Sequence, residues 1–407
     1  MNTAELNPFD LDVLADPYDL YARLRDTSPV HHVPDMDLFL VSRYADVKDA
    51  ATRKDDFSSH LTAVVMATAK STAAVGAELV QLDAGVDVVD VLATADPPDH
   101  TRQRKTVART FREIEQSEPA LRLVIDEMLA PMLDAGSCDL MGDFAEWVPV
   151  RVIGDLLGLP ATDAERIKQG ADCGVELLSG VTPPDRLAEC ITGIVEFAAY
   201  VDDHVVHGAT RAPGRLFGLL ATCVEDGTIT GSEATAIALQ LVIAGSDSTG
   251  NLIGNAVRLL AEHPDLQAEL RAEPSEIPAY LEEVLRFESP FRGHFRVATR
   301  DTTLGGTDIH EGARLFLMWG SANRDPDVFE RPDELMLHRP NAGDHFGFGW
   351  GVHRCVGAPL ARLEATLALE RLLSETTHIE PTPGASTPDY VPSMLVRRLS
   401  HLHLDLR

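Results

Sequence analysis

Residues 348–357 read F-G-W-G-V-H-R-C-V-G and place one cysteine, Cys355, in a setting suited to metal chemistry. Gly349, Gly351 and Gly357 let the backbone turn tightly and approach a flat ligand closely. Cys355 follows a basic residue, Arg354, and precedes the start of a helical pattern. Positive charge and a helix N-terminus both favour a thiolate over a thiol. A single deprotonated cysteine suits one axial bond to a metal that another scaffold already holds. It does not suit structural zinc, which takes four closed ligands, and the CxxCH of covalent cofactor attachment is absent. A free cysteine without such a setting is usually a small buried hydrophobe. Cys138, Cys173, Cys190 and Cys223 are read that way.

A second group stands in an apolar stretch. Ala244-Gly245-Ser246-Asp247-Ser248-Thr249 sets an acid and three hydroxyl residues inside what otherwise reads as a buried helix. An interior glycine costs about 1 kcal/mol relative to alanine, and buried polar groups cost more unless partnered. Either the helix turns a polar edge to solvent or these groups serve a function. His100 and Arg104 are spaced to share one helix face and meet the same pair of carboxylates. Glu283 and Arg286 have i,i+3 spacing, which alone describes an ordinary exposed pair.

The elements that must position these residues are mainly helical. The strongest helix candidate runs from about Thr230 to His263, with capping-box spacing at Thr230 and Glu233 and a stop at Pro264. It would be roughly 50 Å long, enough to cross a domain. A last helix is expected from about Ala358 to Ser374. Strand character appears at Leu38–Val41 and in the pieces HFRVATRD, TTLGG, TDIHEG and RLFLMWG of residues 294–320. No repeat or Gly/Ser linker divides the chain. The expectation is one mainly α domain over residues 1–407, with smaller β-rich portions at about 30–60 and 290–320.

The loop around Cys355 resembles the haem-binding loop of the cytochrome P450 family, matching F-G-x-G-x-H-x-C-x-G at every fixed position. The resemblance extends further. Glu283 and Arg286 match E-x-x-R, with Arg339 as the third partner of a buried ion pair. His100 and Arg104 match H-x-x-x-R, and Arg296 and His353 match the other usual partners of haem propionates. Asn323-Arg324-Asp325-Pro326 matches a segment common in bacterial members. Residues 244–249 match A-G-x-[DE]-T-T, where small residues admit the cofactor and the helix widens into a groove. Asp247 takes the place of the proton-relaying acid, Ser248 that of the usual threonine, and Thr249 is a second hydroxyl.

The resemblance implies haem b held between the long central helix and the cysteine loop, with Cys355 as the metal ligand. His100, Arg104, Ala244, Gly245, Arg296, Phe348, Gly349, His353 and Gly357 would contact the cofactor, and Asp247, Ser248 and Thr249 would serve catalysis. It implies a monooxygenase that hydroxylates a small organic molecule, with NAD(P)H electrons arriving through a ferredoxin and its reductase. Desaturation, coupling or dealkylation is the alternative reaction, and a non-catalytic haem ligand-binding protein the alternative class. Peroxide-driven relatives tend to lose the acid–alcohol pair that Asp247 and Ser248 preserve. Substrate choice falls to residues 60–95, 172–185 and 291–295 with Ile243 and Ala244. Phe291, Arg292 and His294 are the tentative contacts there, together with Ile243. Arg354 and Arg362 are candidates for the partner-docking face.

Composition bounds the setting. The net charge of −29 disfavours nucleic acid as a partner. Residues 61–80 are too polar for a bilayer span. The N-terminal residues carry acids and no secretory pattern, and five scattered cysteines argue for a reducing cytoplasm.

Overall fold

The computed structural model describes residues 8–60, 64–68, 76–80, 89–112 and 117–407, and 58% of it is helical, the mainly α class expected. The helix Gly231–Glu262 is its axis. It starts where the spacing predicts: the Thr230 hydroxyl accepts from Glu233 N at 3.1 Å, and Glu233 Oε2 accepts from Thr230 N at 2.8 Å. Glu233 also accepts from Arg102 Nη2 at 2.6 Å and Gln103 Nε2 at 2.9 Å. Arg102 first, then Gln103 and the Thr230 N–H, hold its carboxyl down at about 2 against the opposing effect of burial. One carboxylate therefore caps the long helix and fastens it to the helix Asp99–Arg112, which carries His100 and Arg104.

Close crossings fix what surrounds this axis. A Cβ at Gly250 would lie 2.6 Å from the Ala145 carbonyl oxygen, and one at Gly174 would lie 2.6 Å from Ile243 Cδ1. Glycine at both places lets the turn at Met141–Ala145 and the helix Ala164–Leu177 press against the long helix. The last helix spans Ala358–Glu375, one residue beyond the expected end.

The main sheet has five strands in the order Val30–Val33, Leu38–Val41, Arg314–Leu317, His294–Ala298, Phe57–Ser58. The pair Leu38–Val41 with Arg314–Leu317 is parallel, and the others are antiparallel. Alternation along the central strands assigns their side chains to two cores. Phe39, Val41, Leu315 and Leu317 pack into one with Phe57 and Phe346. Leu38, Leu40 and Phe316 pack into another with Leu20, Leu24 and Met394. The largest cluster surrounds the long helix.

Two expectations need correction. The β-rich portion at 30–60 contains a helix, Tyr44–Thr52, whose buried Tyr44, Val47 and Ala51 follow helical spacing. Strands also occur outside both expected portions. Val64–Thr68 pairs with Gly76–Val80, and Ser137–Asp139, His403–Leu406 and Ile379–Pro381 form a three-stranded sheet. Strands of three to five residues leave too short a pattern to read. Much of the expected substrate segment 60–95 lies outside the described residues.

Candidate active site

Cys355 sits at the depth of the core yet is accessible. The loop is shaped by Gly349 and Gly351, whose φ values of 67° and 66° suit glycine, and by Cys355 N donating to the Phe348 carbonyl at 2.8 Å. Burial pushes the thiol up; the Gly357 N–H, the Arg104 charge, the Ala358 N–H and Arg362 oppose this without overcoming it. The expected thiolate therefore does not follow from charge and helix end alone. The free sulfur is a thiol at neutral pH, and coordination to a metal is what would deprotonate it. Arg104 and Arg362 rather than Arg354 are the cations that act on it most. The Arg354 side chain is exposed, and its carbonyl accepts from Arg104 Nη2 at 2.6 Å.

Beside the loop the fold gathers cations, with Asp96 the described acid that acts on His100 and Arg296. His100 is 3% exposed and packs on His353 at a tilt, with ring centroids 4.4 Å apart. His353 Nε2 meets the Ser59 hydroxyl at 2.9 Å, while Nδ1 of each imidazole is buried without a partner. Arg296 Nη1 contacts His294 Nδ1 at 3.0 Å and donates to the Phe295 carbonyl at 2.7 Å. Among the described residues neither Arg104 nor Arg296 forms an ion pair with a carboxylate. Burial holds Arg296 down to about 10, His353 to about 3 and His294 to about 4. Two arginines and two imidazoles with orphaned donors fit the carboxylate edge of a dianionic macrocycle such as haem.

The loop is held in place by a buried ion triad. Glu283 and Arg286, both 0% exposed, bond at 2.8 Å through each carboxylate oxygen, and Arg339 Nε lies 3.0 Å from both oxygens. Arg286 also donates to the carbonyls of Asn323, Pro332 and Glu334. The Asn323 side chain in turn accepts from Phe346 N at 2.7 Å, just ahead of the loop. The triad thus pins the irregular segment leading into Cys355, with Arg339 as its expected third member.

On the long helix, Ala244 is accessible although the helix runs through the core. A Cβ at Gly245 would meet only Ile153 at 3.6 Å, an ordinary contact. Protein packing therefore does not demand this glycine, whose open face leaves room for a ligand to approach closely. The helix does not widen: Gly231–Glu262 is α-helical throughout, and the Ser248 hydroxyl donates to the Ala244 carbonyl at 2.7 Å. Thr249 is buried in the packing at 4% exposure. Asp247 turns to a pocket lined by Glu146, Lys168, Asp172, Asn251 and Arg398. Asn251 Nδ2 donates to Asp247 Oδ2 at 2.6 Å, and Arg398 Nη1 lies 3.5 Å from Oδ1. Burial raises the Asp247 carboxyl, and Arg398 pulls it back in part.

The chain is 38% identical over 403 residues to "Cytochrome P450 144" of Mycobacterium tuberculosis, spanning 97% of this chain and 90% of that one. It belongs to the cytochrome P450 family. The family model described as Cytochrome P450 matches residues 217–400. "Vitamin D(3) 25-hydroxylase" of Pseudonocardia autotrophica is 34% identical over 95% of this chain and 93% of its own. The solved cytochrome P450 CREJ in complex with (4-ethylphenyl) dihydrogen phosphate superposes with a TM-score of 0.90 at 27% identity, covering 100% of both chains. This P450 is accordingly an oxidoreductase of the monooxygenase type, with haem b as cofactor and NAD(P)H-derived electrons supplied through partners. No helix among its described residues is long and apolar enough to cross a membrane.

The P450's tentative substrate residues do not share one environment. Ile243 packs on Gly174, and Phe291 and Phe295 join the apolar cluster that includes Val175 and Met394. His294 is drawn to Arg296 and lies beside Trp319, ring centroids 6.0 Å apart. Arg292 is buried against Tyr21 and Met394 of that same apolar cluster. Sequence reasoning missed Ser59, Trp319 and Arg398. Trp319 packs on Gly349 and has a buried, unpartnered Nε1. An aromatic with a polar handle at the end of a strand was its one available signal.

Proposed function

We propose that Cys355 is the axial ligand of the haem iron, and that His100, Arg104, Arg296 and His353 hold the propionates. In this reading Phe348, Gly349 and Gly357 flank the macrocycle on the loop side, and Ala244 and Gly245 on the helix side. The observation that carries it is an accessible thiol at core depth, receiving the Gly357 and Ala358 N–H groups, beside two histidines and two arginines that form no ion pair among the described residues. Haem bound through a thiolate supplies the activation of dioxygen.

The protein's own residues then handle protons and position. Asp247, raised by burial, holds a proton at its carboxylate near neutrality more readily than an exposed acid does. Arg398 joins it to Glu146 at 3.1 Å, and Lys168 lies 2.9 Å from Glu146 and 2.7 Å from Asp172. Arg398 keeps its own proton and fixes the Asp247 carboxyl in place, and Asp247 takes protons from the solvent side of this pocket. The Ser248 hydroxyl is the adjacent donor, able to rotate away from the Ala244 carbonyl. Thr249 stabilises the helix from its buried face. The reaction is insertion of one oxygen atom, most simply hydroxylation, in a small molecule that Ile243 and Phe291 meet. Relatives with a sterol-type and an aryl phosphate ligand in their names support an apolar or mixed substrate.

Electrons come from a ferredoxin and its reductase in the cytoplasm. Exposed Arg354 is available for docking, whereas Arg362 is engaged by Glu282 at 2.6 Å and covers Phe348. The test is turnover with NADPH, a ferredoxin, its reductase and labelled dioxygen. One labelled oxygen atom in the product is expected; reduction and oxygen uptake without an oxygenated product from any screened ligand would overturn the assignment.

A further inference from the structure

Trp319 carries a buried donor that no group among the described residues takes up. Its Nε1 has no hydrogen-bond partner there, whereas the Trp147 Nε1 donates to the Gly142 carbonyl at 2.8 Å. A buried indole N–H ordinarily finds an acceptor, and leaving it unpaired is unfavourable. The sheet explains where it sits. Strand Arg314–Leu317 pairs with His294–Ala298 so that Leu317 stands opposite His294, and Trp319 opens the short helix Trp319–Ala322 just beyond. The indole lies beside the His294 ring, with centroids 6.0 Å and planes 25° apart. His294 Nδ1 is in turn 3.0 Å from Arg296 Nη1. One edge of the indole meets the cysteine loop: a Cβ at Gly349 would lie 3.4 Å from Trp319 Cη2 and 3.6 Å from Cζ2. Cζ2 and Nε1 are bonded to the same ring carbon, so the N–H lies towards the edge that borders the loop.

The N–H therefore stands near two of the groups assigned to the propionates. The His353 carbonyl lies 3.5 Å from the same Cβ position at Gly349. Arg296, His100, His294 and Arg104 are the titratable groups that act on the His353 imidazole, so all of them share one neighbourhood. Asp96, the acid that acts on Arg296, is taken up by Ser59 N at 3.0 Å and by the Ser58 hydroxyl. A carboxylate oxygen from a ligand is what fits an orphaned N–H beside an arginine that forms no ion pair.

We propose that the Trp319 indole N–H donates to the haem propionate held by Arg296, a further partner of the cofactor that no sequence motif marks. The proposal rests on the haem assignment above and adds a residue to it. Its test compares the ferric holoenzyme with W319F, which keeps an aromatic ring against Gly349 and His294 but removes the N–H. The propionate bending mode in the resonance Raman spectrum should move to lower frequency in W319F, because hydrogen bonding stiffens it, while the iron–sulfur stretch stays in place. Haem transfer to excess apomyoglobin should become at least about tenfold faster, the size expected of a hydrogen bond to a charged group. W319H, whose imidazole replaces the five-membered half of the indole and can keep its N–H, should hold the propionate mode nearer the wild-type position. An unmoved propionate mode in W319F would overturn the proposal whatever the rate of haem loss, since faster loss alone marks a packing role. So would an unchanged rate, a W319H mode no nearer the wild type than that of W319F, or a propionate mode and iron–sulfur stretch that move together, the mark of a haem displaced as a whole. The reduced carbon monoxide spectrum reports on Cys355 separately. A wild type without thiolate-bound haem would overturn the cofactor reading and this proposal with it; normal haem with an unmoved propionate mode would overturn this proposal alone.

Discussion

Ser248 is the residue at which this P450 departs most from its family's pattern. Its hydroxyl is held by the Ala244 carbonyl at 2.7 Å, but serine lacks the methyl that restricts a threonine rotamer. Ser248→Thr is expected to raise the product formed per reduced cofactor and lower peroxide release; an unchanged or lower ratio would remove serine as the cause of uncoupling. Glu283 allows a second prediction. Glu283→Ala leaves Arg286 and Arg339 buried without their anion, which costs about 3–5 kcal/mol. Chemical denaturation should show that loss together with poor haem retention, and a change within about 0.5 kcal/mol, the range of an ordinary surface substitution, would contradict the triad's role. The Glu283–Arg286 pair and the cysteine loop were legible in sequence because each is a short contiguous motif, while Arg339 came only through the family resemblance. The separation of Arg292 from His294 was not. Two positions apart on a strand they would share a face, but the strand begins at His294, and Gly293 lies so close to its neighbour that a Cβ would sit 2.4 Å from the Leu317 carbonyl oxygen. The pleat stops there, and the alternation rule stops with it.

Among the elements, the last helix carries an acid that its position makes costly. Glu364 is 2% exposed, its Oε2 has no partner among the described residues, and burial pushes it up to about 8. Between its ordinary value of 4.5 and about 8 the unfolded chain has released this proton while the folded one keeps it. This group's contribution to stability is therefore intact below about 4.5 and falls as pH rises through that window. Glu364→Gln should flatten the decline, seen as a smaller difference in unfolding free energy between pH 5 and pH 8; an identical slope in the variant would show that Glu364 is not the group responsible. The helix bearing Glu364 and the long helix were readable almost to the residue, since a capping box and a following proline mark the ends of the latter. The strand His403–Leu406 was not, because it is defined by a partner, Ser137–Asp139, more than two hundred residues away. Asp247's partner was hidden for the same reason, Arg398 lying far along the chain.

At the scale of the molecule, the long helix, the cysteine loop and the cation cluster come from separate parts of the chain. Glu233, Asn323 and the Glu283 triad are the joints that bring them together. Charge supports the same arrangement: in a strongly acidic protein neither Arg104 nor Arg296 forms an ion pair with a carboxylate among the described residues, and a dianionic cofactor would compensate them. The account as a whole rests on Cys355 binding haem iron through sulfur. The most direct measurement is the absorption spectrum of the reduced, carbon monoxide-bound protein, recorded for the wild type and for Cys355→Ser. A strongly red-shifted Soret band in the wild type, absent in the variant, is the expected result. An ordinary histidine-haem spectrum in the wild type, or no bound haem, would contradict it.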